Sequence, residues 1–188
     1  MKKFAIAALA LLAAPVVQAQ DAAPLPSAER RQELLFDAAR MGRTDLVAGL
    51  VKLGADLNGH DARGFTPLIL AAYNGHADTL EALIAAGADP CLPDTGQGNT
   101  AQMGVAFKGN AAIAARLLKA GCDVDARNKA GQTALMMAAL FGRTDQVRML
   151  LAAGADPAIA DATGRTAASV AEAQGNTTLA AALKPAVQ

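Results

Sequence analysis

Between residues 66 and 90 the apolar positions fall into two short helical stretches separated by a polar break. "PLILAAYN" opens on Pro67 directly after Thr66, a hydroxyl placed to cap a helix followed by a residue whose missing N–H costs nothing in a first turn. It stops at Gly75. A second stretch begins near His76, with Leu80, Leu83 and Ile84 on one face at helical spacing. Gly87 is placed to end it in the left-handed conformation that glycine adopts without steric cost. Ahead of the pair, "HDARGF" carries Asp and Gly where a tight hairpin needs them.

The same unit recurs. Gly-x-Asp stands at Gly54, Gly87, Gly121 and Gly154, in steps of 33, 34 and 33 residues. A Thr two residues after a Gly recurs at Thr66, Thr100, Thr133 and Thr166, and another Gly at 42, 75, 109, 142 and 175. Three markers sharing one period define a repeat. One helical pair buries too little apolar surface to offset the entropy of ordering its own residues, so the pairs must stack on one another.

Hairpin, helix, Gly turn, helix and Gly cap at this period resemble the ankyrin repeat. The stretch 61–89 nearly spells that family's pattern "DxxGxTPLHxAxxxGHxxxVxxLLxxGAD", and the likeness runs over about residues 33–183. The resemblance implies an all-α solenoid of about five helix-turn-helix repeats with short β-hairpin turns. The repeats are expected at about 31–58, 59–91, 92–125, 126–158 and 159–184, within a domain at 31–184 followed by a tail at 185–188. One departure is the His after "TPL", which in the family bonds neighbouring hairpins. Here Phe36, Ile69, Met103, Met136 and Ser169 or its neighbour stand in its place, so apolar packing is expected to substitute for that polar network. At the front, Ser27 is placed to cap a helix running through Arg40. At the back, a last helix is expected from Asn176 to Leu183.

The first residues read differently. "MKKFAIAALALLAAPVVQAQ" has two lysines, an apolar run from Phe4 to Val17 and small residues around Ala19, the pattern of a secretory signal peptide cleaved after Ala19. The run is shorter than the roughly 20 residues a membrane span needs. Residues 1–19 are therefore expected to direct export and 20–30 to form a flexible lead, with the product periplasmic. "LPDTG" at Leu92 to Gly96 matches a sortase signal, but 92 residues follow it and they lack the apolar stretch and basic tail that sorting needs. Between Asp89 and Thr100 there are 11 steps where the other repeats have 10, so the stretch is expected to be a hairpin lengthened by one residue.

Charge narrows the partners. Removing Lys2 and Lys3 leaves 15 basic against 17 acidic side chains, a balance that offers no field for nucleic acid or an anionic membrane. His60 and His76 are the only imidazoles, no His/Cys group has metal spacing, and no Ser or Cys stands in a nucleophile motif. No enzyme activity, cofactor or metal is expected. Asp56, Asp89, Asp123 and Asp156 read as turn formers. Cys91 and Cys122 lie on adjacent repeats near the same edge, and an oxidising compartment would let a bond between them persist. The alternatives are a disulfide, which needs the Cα atoms within about 7 Å, or two separately packed small residues.

By position, the ankyrin resemblance implies a protein partner held by hairpin tips and the exposed side of the first helices. Those positions are Arg40, Met41, His60, Arg63, Phe65, Tyr73, Asn74, Asn99, Phe107, Lys108, Arg127, Lys129, Gln132, Leu140, Phe141 and Arg165. Four of the five aromatic residues beyond the leader are among them. Aromatic and Arg side chains give large contact area at small entropic cost. Phe65 and Tyr73 are expected to be exposed, whereas Phe107 and Phe141 fit either exposure or packing between repeats. The expected role is a monomeric module that binds another protein. Immunity against a toxin or hydrolase, or protection or assembly of a periplasmic enzyme such as one of oxidative-stress defence, are the alternatives within that class.

Overall fold

The computed structural model describes residues 25–184, so the expected signal peptide, residues 20–24 of the expected lead and the tail lie outside the described residues, whereas residues 28–30 of that lead are helical. Among the described residues ten helices follow one another in five antiparallel pairs. The inner row is α1 (Ala28–Met41), α3 (Pro67–Asn74), α5 (Ala101–Lys108), α7 (Ala134–Leu140) and α9 (Ala167–Ala173). The outer row is α2 (Thr44–Lys52), α4 (Ala77–Ala85), α6 (Ala111–Leu118), α8 (Thr144–Ala152) and α10 (Thr177–Leu183). Each inner helix packs on the next in an unbroken file, whereas in the outer row close approach is strongest between α2 and α4 and between α6 and α8.

Helices of seven to nine residues are marginal alone, so their ends matter. Every inner helix is capped by a side chain. Ser27 accepts from Arg30 N, Thr66 from Ile69 N, Thr100 from Met103 N, Thr133 from Met136 N and Thr166 from Ser169 N. Ser169 Oγ accepts the Thr166 N–H in return, closing a capping box at the one repeat where the His position is a small hydroxyl. At the other four, Phe36, Ile69, Met103 and Met136 are buried in the stack, the apolar substitution expected from sequence.

Three outer helices end in Schellman closures. Gly87 N–H bonds Ile84 O and Ala88 N–H bonds Leu83 O, and the same pair recurs at Gly54 with Ala55 and at Gly154 with Ala155. The α6 end differs. Its last turn closes through Ala120 N–H to Leu117 O, and Cys122 occupies the place that Ala55, Ala88 and Ala155 hold in the others. Cys122 is joined to Cys91 across 31 residues, with Cα atoms 5.4 Å apart. The same joint carries an ion pair from Glu81 on α4 to Arg116 on α6, at 3.1 Å.

The hairpins are short turns spanned by backbone bonds, and no strand forms among the described residues. Asp61 N–H bonds Phe65 O, Asp94 N–H bonds Asn99 O, Asn128 N–H bonds Gln132 O and Asp161 N–H bonds Arg165 O. The second of these spans one residue more than the rest, so the stretch that mimics a sorting signal is a turn with a longer tip. Asp94 organises it: its buried carboxylate accepts from the N–H groups of Gln97, Gly98 and Asn99. Successive hairpins are tied by Thr95 N–H to Gly64 O, Lys129 N–H to Gln97 O and Ala162 N–H to Ala130 O. Gly64 sits at φ +85, and a Cβ there would run into Thr95 Oγ1. Among the described residues no helix is long and apolar enough to cross a membrane.

Candidate interaction groove

Where the hairpins meet the inner helices, a groove of about 520 Å³ runs across the middle repeats. Its walls are mostly apolar: Phe65, Ile69 and Leu70, then Tyr73, Met103 and Phe107, then Met137, Leu140 and Phe141. Arg40, Arg63, Asn74, Asp94, Asn99, Thr100 and Gln132 supply the polar positions. Ten of the residues singled out from sequence therefore line one continuous surface.

Three rings form a ladder along it. Tyr73 and Phe107 hold the same place two residues before the glycine that follows their helices, and their rings lie parallel with centroids 6.0 Å apart. Phe141 stands one place later, at the position of Asn74 and Lys108, and its ring meets Phe107 edge-on at 4.7 Å. Such pairs prefer offset or edge-to-face geometry, so the ladder is preformed. Tyr73 is 39% exposed, Phe107 42% and Phe141 37%, which decides the open question for the two phenylalanines in favour of exposure. Phe65 does not follow its expectation. It is half-buried against the core, and Arg63 lies over its ring at 5.0 Å. Beneath Tyr73, Gly104 leaves the groove floor without a side chain; a Cβ at that position would come to 3.6 Å from the ring.

The remaining sequence-selected residues lie elsewhere. Met41 is exposed beyond the groove. Lys108 sits on the rim with Nζ 4.3 Å from the Tyr73 ring centroid. His60, Arg127 and Lys129 lean on neighbouring hairpins: the His60 ring bonds Pro93 O at 3.2 Å, Arg127 donates to Gly131 O and Ala160 O, and Lys129 Nζ donates to Thr95 O and Gly96 O. Arg165 pairs with buried Asp161 at 2.8 Å. His76 bonds Arg40 O from the next repeat. Ile69, Leu70, Met103, Gly104 and Met137 line the groove although sequence reasoning assigned them to the core or passed over them. Their inward helical phase is visible in sequence, but the gap left above them by Gly104 and the hairpins is not.

The electrostatics of the groove are one-sided. Asp94 is its only acidic lining residue, and the Asp94 oxygens are occupied by three N–H groups. Arg40 is balanced by Asp37 at 2.7 Å and Asp61 at 3.2 Å. Arg63 and Lys108 have no carboxylate partner among the described residues. No group of three or more His, Cys, Asp or Glu able to hold a metal occurs among the described residues.

Comparison with known proteins agrees with this geometry. A family profile described as Ankyrin repeats matches three overlapping stretches, residues 8–94, 70–161 and 101–186. Ankyrin repeat and SAM domain-containing protein 6 of Mus musculus is 35% identical over 109 residues, 57% of this chain and 12% of that protein. The mitochondrial disaggregase of Homo sapiens is 38% identical over 85 residues, 45% of this chain and 12% of the relative. Protein phosphatase 1 regulatory subunit 27 of Homo sapiens is 42% identical over 55 residues, 29% of this chain and 36% of the relative. The chain thus spans a small part of these curated relatives, and the likeness is to their repeats. With the period, the caps, the stacked pairs and the profile in agreement, this chain belongs to the ankyrin-repeat family.

Proposed function

We propose that this chain is an exported module that binds another protein in the groove between its hairpins and inner helices. The observation that carries the reading is the exposed ladder of Tyr73, Phe107 and Phe141 over an apolar floor. Water-exposed rings in a preformed groove gain free energy when a partner covers them, at little cost in side-chain order. The scaffold suits this work, because stacked repeats hold an extended surface rigid. Two features support a periplasmic setting: the leader pattern at 1–19 and the apposed Cys91 and Cys122, a pair that persists where the surroundings oxidise thiols.

Capture from periplasmic extract tests the reading, comparing the tagged protein with a Tyr73→Ala plus Phe107→Ala variant of equal helical content and melting temperature. The specific partner is expected to fall at least tenfold in the variant. Equal recovery of the same proteins by both would show that the groove is not the binding surface.

A further inference from the structure

We propose that the segment held in this groove is acidic as well as apolar: a stretch of the partner protein whose side chains cover the aromatic ladder and whose carboxylates meet donors that the fold has set in place. The inference rests on the groove reading above and adds the chemistry of the occupant.

The first support is a hydrogen-bond chain anchored on Asn128, which is 8% exposed. Asn128 Oδ1 accepts from the backbone N–H groups of Ala130 and Gln132, at 3.0 and 2.9 Å. Those two donors fix which end of the amide is oxygen, so the Asn128 NH2 group must point the other way. It donates to Asn99 Oδ1 at 2.9 Å and to Gln132 Oε1 at 3.2 Å. Both of those oxygens are thereby engaged. What Asn99 and Gln132 have left, within reach of one shared nitrogen and lining the groove, is a pair of NH2 groups with no bond among the described residues. Two adjacent donors match the two oxygens of a carboxylate.

The second support is the state of the cations. Lys108 and Arg63 lie over the faces of Tyr73 and Phe65. With those faces already facing a cation, a ligand ammonium or guanidinium there meets a like charge instead of a free ring. A carboxylate meets the opposite: two cations without an anionic partner, and no accessible carboxylate on the groove wall to repel it. Apolar walls, paired amide donors and unpaired cations select an apolar segment bearing Asp or Glu over a neutral or basic one.

Random 16-residue peptides displayed on phage, selected on the immobilised protein and counter-selected on the Tyr73→Ala plus Phe107→Ala variant, test the proposal. Synthetic copies of the enriched peptides are then titrated by fluorescence polarisation. Enrichment of Asp and Glu beside apolar residues is expected, with binding at least tenfold weaker in Lys108→Glu. Asn128→Asp is the sharper variant. Asp organises the corresponding turn at Asp61, Asp94 and Asp161, so the substitution keeps the turn and the fold. It removes the donor, however, turns the Asn99 and Gln132 amides around to present oxygen to the groove, and adds a negative charge. The acidic peptides are expected to bind it at least tenfold more weakly. Ladder-dependent peptides without an excess of acidic residues, no enriched peptide at all, or acidic peptides indifferent to both Lys108→Glu and Asn128→Asp would overturn the proposal and leave the groove reading standing. A parallel selection without the counter-selection step that returns only acidic peptides binding wild type and the ladder variant alike would overturn both.

Discussion

The two rows of helices solve the same problem by different means. All five inner helices start on a side-chain cap and pack in an unbroken file, whereas in the outer row α2, α4 and α8 start at Arg43, His76 and Arg143 without a side-chain cap bond. The outer row is held by the Schellman closures of α2, α4 and α8, by burial, and at the joint between α4 and α6 by the Glu81–Arg116 pair and the Cys91–Cys122 link. The inner row carries the groove, so its geometry is fixed locally, one repeat at a time. In the outer row a single covalent tie stands where neighbouring helices approach less closely.

The largest test of that contrast is to remove the tie. A loop of 31 residues closed by a disulfide stabilises the fold by roughly 3–4 kcal/mol in the chain-entropy description. Cys91→Ser plus Cys122→Ser is expected to lower urea stability by up to about that amount, with reductant lowering wild type equally and leaving the double variant unchanged. Identical denaturation of wild type with and without reductant would show that the outer row does not depend on the link.

Cap exchanges probe the two rows with opposite signs. Thr133→Ala on α7 removes an inner cap and is expected to cost about 1 kcal/mol. Arg43 begins α2 at φ −80 and ψ 69, nearly the backbone of Asn176, whose side chain does cap α10 from φ −85 and ψ 69. Arg43→Asn is therefore expected to raise stability by about 0.5 kcal/mol, after loss of the exposed Arg43–Asp45 pair. Thermal melts read both; destabilisation by Arg43→Asn would show that the outer helices start as they do for a reason other than a missing cap.

The smallest effect is one of pH, in the last hairpin. The Thr163 hydroxyl, then the N–H groups of Arg165 and Thr163 and the Arg165 guanidinium, hold the Asp161 carboxyl well below the usual carboxylate range. A depressed folded-state value means that the unfolded chain takes up the proton first. The stabilisation is thus complete above about pH 4, the unfolded carboxylate value, and is lost as pH falls below it toward the folded value. Asp161→Asn, which keeps the acceptor as Asn128 does, is expected to flatten the fall of melting temperature below pH 4. An unchanged acid limb in this variant would remove Asp161 from the account.

The repeat was legible in sequence because its determinants are local. Thr66, Thr100, Thr133 and Thr166 cap the residues three places on, and Gly42, Gly75 and Gly109 close their helices in the left-handed region, so period and helix ends can be read along the chain. The groove was legible only in part. Tyr73 and Phe107 share a register and stack as that register implies, but the side of Phe65 is decided by the core it meets and by Arg63 above it. His60, Arg127 and Lys129 look like free tip residues until the neighbouring hairpin arrives with carbonyl acceptors 33 or 34 residues away. The Asn128 network joins residues 29 apart through the direction of an amide, which no spacing encodes.

Gly104 sets two qualities of the molecule against each other. It is the one glycine inside an inner helix among the described residues, and glycine there weakens a helix by roughly 1 kcal/mol relative to alanine. Alanine there would firm up α5 and, with the same atom, fill the slot under Tyr73. An effort to harden this protein by rational substitution would find its most obvious target at the position where success fills the floor of the proposed binding groove.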